Sequence, residues 1–383
     1  MARAAVEQVS WEAALAFRME RQHLAARAPA SALVDVVADL CGLQAQVLSS
    51  AVLTAWARID GLDAGAVERA LWEERTLVKT WAMRGTLHLL PVRDLGLWVG
   101  AQGALRPRYE QPTWLRHFGL TREEAEALVE AVPRVLERGT ELTRSELADA
   151  VAHETGVGHL ADGLRRGFGD LLKPVAFRGD LCFAPGDGQR VRFARSDRFV
   201  GPWEPVPVED AAREAARRYL RAYGPATREW LARWFGMTSA PLAGRWLRAL
   251  GDDAVEVEVA GTTAWLLADD VDVLVAARPS GTVRLLPAFD QHVVTAPRDV
   301  DALVPVAFRD RVYRPQGWLS PVVAVDGAAC AVWRHEADGG TLRVAVEPFA
   351  RPSAAVREGV RDEVARLAAF LELDVSEPAW AAP

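Results

Sequence analysis

The sequence predicts a mostly helical α+β protein: three tandem winged-helix units followed by a small β-rich C-terminal module. Two observations predict it. One unit recurs three times, a helix, a short break, a second helix and two short strands joined by a tight turn, with the turns near residues 84, 179 and 261. After Val271 the helical periodicity gives way to short strand-like runs separated by Gly, Pro and Asp.

The first unit, 1–110, opens with Ser31 before an apolar-periodic helix to Cys41, passes Gly42, and continues with helices over about 47–59 and 64–74. Its wing pairs 77–81 with 86–90 across Met83, Arg84 and Gly85. The second unit, 111–200, holds two capping boxes, Thr121 with Glu124 and Thr143 with Glu146, in which each side chain satisfies an orphan amide of the other. A helix over 159–172 then leads to a wing of 175–178 and 181–184 turning at Gly179 and Asp180, and the Pro- and Gly-containing stretch 186–207 reads as a linker. In the third unit, 201–270, a helix over 211–223 is stopped by Gly224 and Pro225, Thr227 caps a helix over 228–235, and Ser239 caps the next. Residues 255–259 and 262–267 form its wing around Gly261. Trp230, Trp234 and Trp246 fall at near-helical spacing and read as core. In the last module, 271–383, the strand-like runs are 282–286, 322–325, 330–333 and 341–346; a helix covers 354–371 and the tail 376–383 reads as loose.

Composition narrows the function. The chain of 383 residues is 50% hydrophobic and 25% charged, ordinary globular usage. Its longest apolar runs fall far short of the roughly 18 residues that span a bilayer. Glu7 and Glu12 precede any run of signal-peptide length, so the expectation is a cytoplasmic protein. Cys41, Cys182 and Cys330 are scattered and odd in number, which excludes a disulfide framework. A net charge of −7 means that any nucleic-acid face must be local. Arg213, Arg217, Arg218 and Arg221, with Arg228 and Arg233 beyond, supply such a stripe. Only Lys79 and Lys173 are available for imine chemistry.

No G-x-S-x-G elbow, H-E-x-x-H helix, dinucleotide fingerprint or phosphate-cradling loop is present. Attention falls on Gly42-Leu43-Gln44-Ala45-Gln46, at the seam between two helices. If that stretch is extended, both glutamine amides point one way; if it is helical they diverge by roughly 200°. The sequence leaves both open. Amides do not titrate, yet their carbonyl oxygens orient a water and stabilise developing positive charge. Two solvated helix-start glutamines are the alternative reading.

Four segments together, Gly42 to Gln46, Thr80 to Leu89, Leu285 to Asp290 and Gly317 to Val323, resemble the tandem winged-helix DNA glycosylase family, over nearly the whole chain from about residue 10 to 375. That family includes antibiotic self-resistance and crosslink-repair enzymes. The resemblance implies a C-shaped arrangement around duplex DNA and a monofunctional glycosylase that excises bulky N7-alkylguanines and unhooks interstrand crosslinks. The family's Gln-x-Gln or Gln-x-Asp catalytic signature maps onto Gln44 and Gln46, in the double-amide form of the antibiotic-producer branch. Residues 290–298 resemble the family's DNA-engaging β-hairpin, with His292 and Arg298 as contacts. Arg84 in the first wing turn and Arg178 beside the second are expected to reach phosphate or groove, against ordinary solvated arginines.

The expected enzyme acts as a monomer on duplex DNA containing alkylated guanine, with no membrane partner and no metal or organic cofactor. The rival readings are a non-catalytic winged-helix transcriptional regulator and a bifunctional lyase using Lys79 or Lys173.

Overall fold

A computed structural model describes residues 8–138, 141–166, 169–188 and 190–382. They form an α-rich protein with several small sheets, grouped into two compact units. One is drawn from residues 1–67, 216–234 and 238–383, the other from 68–215 and 235–237.

In the unit built on 68–215, the strands Leu77–Trp81 and Leu87–Pro91 pair antiparallel, with Leu77 opposite Pro91 and Trp81 opposite Leu87. Arg84 (φ 60°) and Gly85 (φ 69°) turn the chain between them. Both capping boxes form. Thr121 and Glu124 exchange backbone-to-side-chain bonds of 2.9 and 3.2 Å, and Thr143 and Glu146 do so at 2.8 and 3.3 Å, starting the helices Arg122–Arg138 and Arg144–Thr155. The apolar stripe of the first, Ala125, Leu128, Val132 and Val135, packs with Leu147, Val151, Phe183 and Phe193 into one core.

Three expectations for this stretch are corrected. The helix begun at His159 ends at Arg165 rather than running to 172. The second hairpin is Cys182–Asp187 against Arg190–Ala194, not 175–178 against 181–184. Lys173–Phe177 is a helical turn, because Pro174 sits in its first turn, where a missing N–H costs nothing, and Gly179 (φ 77°) ends it. The alternating Val175 and Phe177 do not distinguish a short strand from a short buried helix. The stretch 186–207 is likewise no simple linker, since Arg190–Ala194 is a strand and Ser196–Phe199 a helical turn. Leu142–Thr143 adds to the edge of Arg190–Ala194, giving a sheet of first, third and second strand in that order.

In the other unit, the helices Leu33–Asp39 and Leu48–Trp56 flank the glutamine segment. Ala254–Val259 and Thr262–Leu267 form a hairpin through Ala260 and Gly261, and Gln8–Val9 extends it in parallel. Val257, Val259 and Leu266 of this sheet close over Phe17 and Leu274. Trp230, Trp234 and Trp246 are buried, as their spacing predicts. The C-terminal sheet runs through Val283–Leu286, Val322–Val325, Ala328–Asp338 and Thr341–Pro348. The helix Ala354–Phe370 lies on it, so close at Gly359 that an added Cβ would come within 2.7 Å of Val283. The tail is tied down rather than loose. Asp374–Val375 and Ala379–Trp380 pair in parallel with Thr341–Pro348, and the Trp380 ring lies 4.6 Å below the Arg357 guanidinium. The expected β-hairpin over 290–298 is a helical turn, Gln291–Val294, capped by the Asp290 carboxylate, which accepts from the His292 amide at 2.8 Å.

Candidate active site

The glutamine segment is built by how the preceding helix ends. The Gly42 amide donates to the Val37 carbonyl at 2.8 Å and Cys41 to Ala38 at 2.9 Å, with Cys41 (φ 56°) and Gly42 (φ 95°) both left-handed. Two such residues throw the chain out of the helix into an extended Leu43–Gln44. The Tyr223 hydroxyl, itself buried, donates to the Leu40 carbonyl at 2.6 Å and ties this exit to the helix behind it. Val47 is still extended (φ −115°, ψ 108°), and the next helix starts at Leu48. Of the two geometries open to the sequence, the structure adopts the extended one.

The consequence is a direct contact between the amides. Gln44 Nε2 donates to Gln46 Oε1 at 2.5 Å. Gln44 is 7% exposed and Gln46 is exposed. The inner amide therefore fixes the orientation of the outer one, whose carbonyl oxygen keeps a second lone pair for a water or a cationic centre. Neither group titrates, so the arrangement can orient a water or stabilise positive charge but cannot exchange protons.

Arg84 is half-buried in its turn, packed so closely that a Cβ on Gly236 would fall within 2.7 Å of its Cα. Its guanidinium lies 3.5 Å from His88 Nε2, while His88 Nδ1 donates to the Thr86 carbonyl at 3.0 Å. Burial, and then the Arg84 cation, push His88 down to about 3. The ring is thus a neutral acceptor that steadies the arginine. Sequence reasoning missed this partner, although His88 lies four residues along the same hairpin.

Arg178 sits at the end of the turn Lys173–Phe177, with Glu130 at 2.5 Å and Asp180 at 3.0 Å. Two carboxylates already answer its charge. The basic stripe is also partly paired, Arg221 with Asp270 at 2.9 Å and Arg228 with Glu229 at 2.7 Å.

His292 is corrected as a DNA contact in this structure. It is 2% exposed, its ring nitrogens lie 2.8 Å from the Gly327 carbonyl oxygen and 3.1 Å from Gln22 Oε1, and no face of it reaches solvent. Beside it, Asp290 takes both arms of the Arg58 guanidinium at 2.6 and 2.8 Å, with both residues fully buried. This bidentate pair anchors the segment 290–298 and was not legible in sequence, where Arg58 lies 232 positions away. Arg298, by contrast, is exposed, with its guanidinium 5.0 Å from the Tyr313 ring centroid.

Of the two lysines, Lys173 is paired with Asp170. Lys79 lies 5.3 Å from the Phe183 ring, and burial lowers its ammonium. Among the described residues no three His, Cys, Asp or Glu side chains are grouped to hold a metal ion, and no helix is long and apolar enough to cross a membrane.

Residues 37–370 match the family model described as "DNA glycosylase AlkZ-like". The chain is 38% identical over 330 residues to a protein of Streptomyces sahachiroi named "Interstrand DNA cross-link repair glycosylase", covering 85% of this chain and 88% of that protein. Its structure is similar to that of Streptomyces sahachiroi DNA glycosylase AlkZ, with a TM-score of 0.88 and 34% identity, covering 98% of this chain and all of the other.

Proposed function

The chain belongs to the AlkZ-like DNA glycosylase family, and from that premise we propose that it hydrolyses the N-glycosidic bond of bulky N7-alkylguanines in duplex DNA, unhooking interstrand crosslinks, with Gln44 and Gln46 as the catalytic pair. The observation that carries this is the 2.5 Å amide contact, in which a buried Gln44 aims an exposed Gln46.

Alkylation at N7 gives guanine a positive charge. When the bond from C1′ to N9 breaks, its electron pair neutralises the departing base, so no strong acid is needed. The sugar left behind is oxocarbenium-like. The Gln46 carbonyl oxygen shields that charge and holds the water whose oxygen bonds to C1′, and the water's surplus proton passes to solvent. An uncharged base lacks this built-in activation and is a poor substrate.

The repeated helical elements at 1–110, 111–200 and 201–270 are read as winged-helix units and 271–383 as the β-rich module. Within the second, the order helix, short strand, two helices and hairpin, with the short strand beside the last, supports this. Arg84, steadied by His88, and the exposed Arg298 are the DNA-holding residues this reading retains. The enzyme works as a cytoplasmic monomer with no metal or organic cofactor, and its double-amide pair supports a role in self-protection against a crosslinking antibiotic.

The test is base release from adducted duplexes by wild type, Gln44→Ala and Gln46→Ala. A loss of about 10- to 1,000-fold is expected for each, the size of one lost electrostatic stabiliser. Unchanged release by both variants leaves the pair as a structural contact with no part in catalysis.

A further inference from the structure

The segment Gly317 to Val323, one of the four that carry the family resemblance, has no part in the chemistry above. It belongs to a tight loop. Tyr313 and Leu319 form an antiparallel bridge, the Arg314 amide donates to the Trp318 carbonyl at 2.8 Å, and Ser320 donates to the Val312 carbonyl at 2.9 Å. Gln316 (φ 59°) and Gly317 (φ 79°) make the turn at its tip. For Gln316 that backbone conformation is strained, and the loop keeps it.

The turn presents Trp318. Among the described residues it is the only large aromatic side chain that is exposed, at 51%, while its inner edge rests on the buried Phe289 ring at 5.1 Å. A supported, half-exposed indole is a stacking platform, since protein contact holds it in place while half of its surface stays open. At the foot of the same loop the Tyr313 hydroxyl is buried with no hydrogen-bond partner. A buried hydroxyl left unpaired is costly, and a ligand acceptor satisfies it. The positive charges of Arg298, Arg233 and Arg309 act on this hydroxyl. Arg309 is held by Asp301 at 2.6 Å and Arg233 by the Ala296 carbonyl at 3.3 Å. Arg298 has no carboxylate within ion-pair distance among the described residues, and it lies over the tyrosine ring. An unpaired hydroxyl donor beside an unpaired guanidinium is a site for an anion.

We infer that the Tyr313–Leu319 loop is a DNA-contacting tip, in which Trp318 stacks on a nucleobase of the bound duplex and Tyr313 Oη with Arg298 takes a backbone phosphate. Aromatic wedges that unstack a base step and cations that hold the adjoining phosphate are complementary halves of one contact. The inference rests on the glycosylase reading for its choice of ligand.

The test uses the full chain and two duplexes, one intact and one carrying a stable abasic-site analogue, titrated at two salt concentrations, with base release measured in parallel. Trp318→Ala should weaken binding to the analogue duplex by about 10- to 100-fold, the scale of one base–aromatic stack, and Trp318→Phe should recover most of it. Arg298→Ala should lower the slope of log affinity on log salt by about one. Tyr313→Phe, which removes only the hydroxyl, should weaken both duplexes alike. Binding by Trp318→Ala within twofold of wild type overturns the inference, as does failure of Trp318→Phe to recover binding at an unchanged melting temperature. If wild type binds with this dependence on Trp318 but releases no base, the proposed function fails and the inference stands. If wild type releases base and Trp318→Ala matches it, the inference alone fails.

Discussion

An amide pair has no proton to lose, so base release by the wild-type protein should be flat with pH, and Gln46→Glu should change that. The 2.5 Å geometry is kept in this variant, because Gln44 Nε2 still faces a carboxylate oxygen and donates to it. On the proposed reading, the new charge stands where the Gln46 carbonyl would face the reacting sugar. A unit negative charge about 4 Å from an oxocarbenium-like centre is worth ~1 kcal/mol in water and ~4 kcal/mol at an effective dielectric constant near 20. Position 46 is exposed, so the lower half of that range applies. About 1–2 kcal/mol corresponds to roughly 5- to 30-fold faster release. The carboxyl also acts as a base for the attacking water, so the gain should appear as pH rises through a value near or below about 4.3 and vanish as pH falls below it. Single-turnover release from an N7-methylguanine duplex between pH 4 and 8 reads this directly. A wild-type profile that bends between pH 4 and 7 while circular dichroism shows the fold intact would show that a titrating group does the work, and a Gln46→Glu variant slower than wild type at pH 7 would place this side chain away from the sugar. Either result refutes the reasoning.

Tyr223→Phe removes the 2.6 Å bond that ties the helix exit at Leu40, and should cost about 0.5–1.5 kcal/mol of stability together with a severalfold loss of base release; full release at that stability loss would show that the exit does not set the Gln44 geometry. Asp290→Asn leaves the fully buried Arg58 unpaired and should destabilise the protein by about 3–5 kcal/mol in urea unfolding, against little change for an exposed pair such as Arg122 with Glu126. His88 is held near 3 in the fold against about 6.5 in the unfolded chain, so the unfolded state binds its proton first. The stability this confers, up to about 5 kcal/mol, is complete above pH 6.5 and is lost as pH falls toward 3; unfolding midpoints that do not move between pH 7 and 4.5 would contradict it. Borohydride treatment of the protein on abasic DNA should trap no adduct, and trapping abolished by Lys79→Arg would establish a lyase.

The local signals in the sequence were reliable where the chemistry is local. Both capping boxes, the Arg228–Phe235 helix and the Thr262–Leu267 strand lie where the sequence puts them, because caps, glycine stops and period-two alternation act over a few residues. The short apolar run at Val175 failed for the same reason in reverse, since four residues cannot carry a period and a proline in the first turn decided the matter. The tail failed because parallel pairing to a strand some 35 residues earlier leaves no local trace.

The candidate site divides along the same line. The sequence by itself determined that Gln44 and Gln46 stand two apart after a glycine, that they cannot titrate, and which family the four segments together resemble. Tertiary structure decided that the segment is extended, that one amide is buried and aims the other, and that Tyr223 holds the exit in place. It also decided that His292 is core while Arg298 is surface, a difference set by partners at Gln22 and Gly327 and by an arginine at position 58. Burial is a property of what folds over a residue, and that depends on contacts hundreds of positions away, which no neighbouring residue encodes.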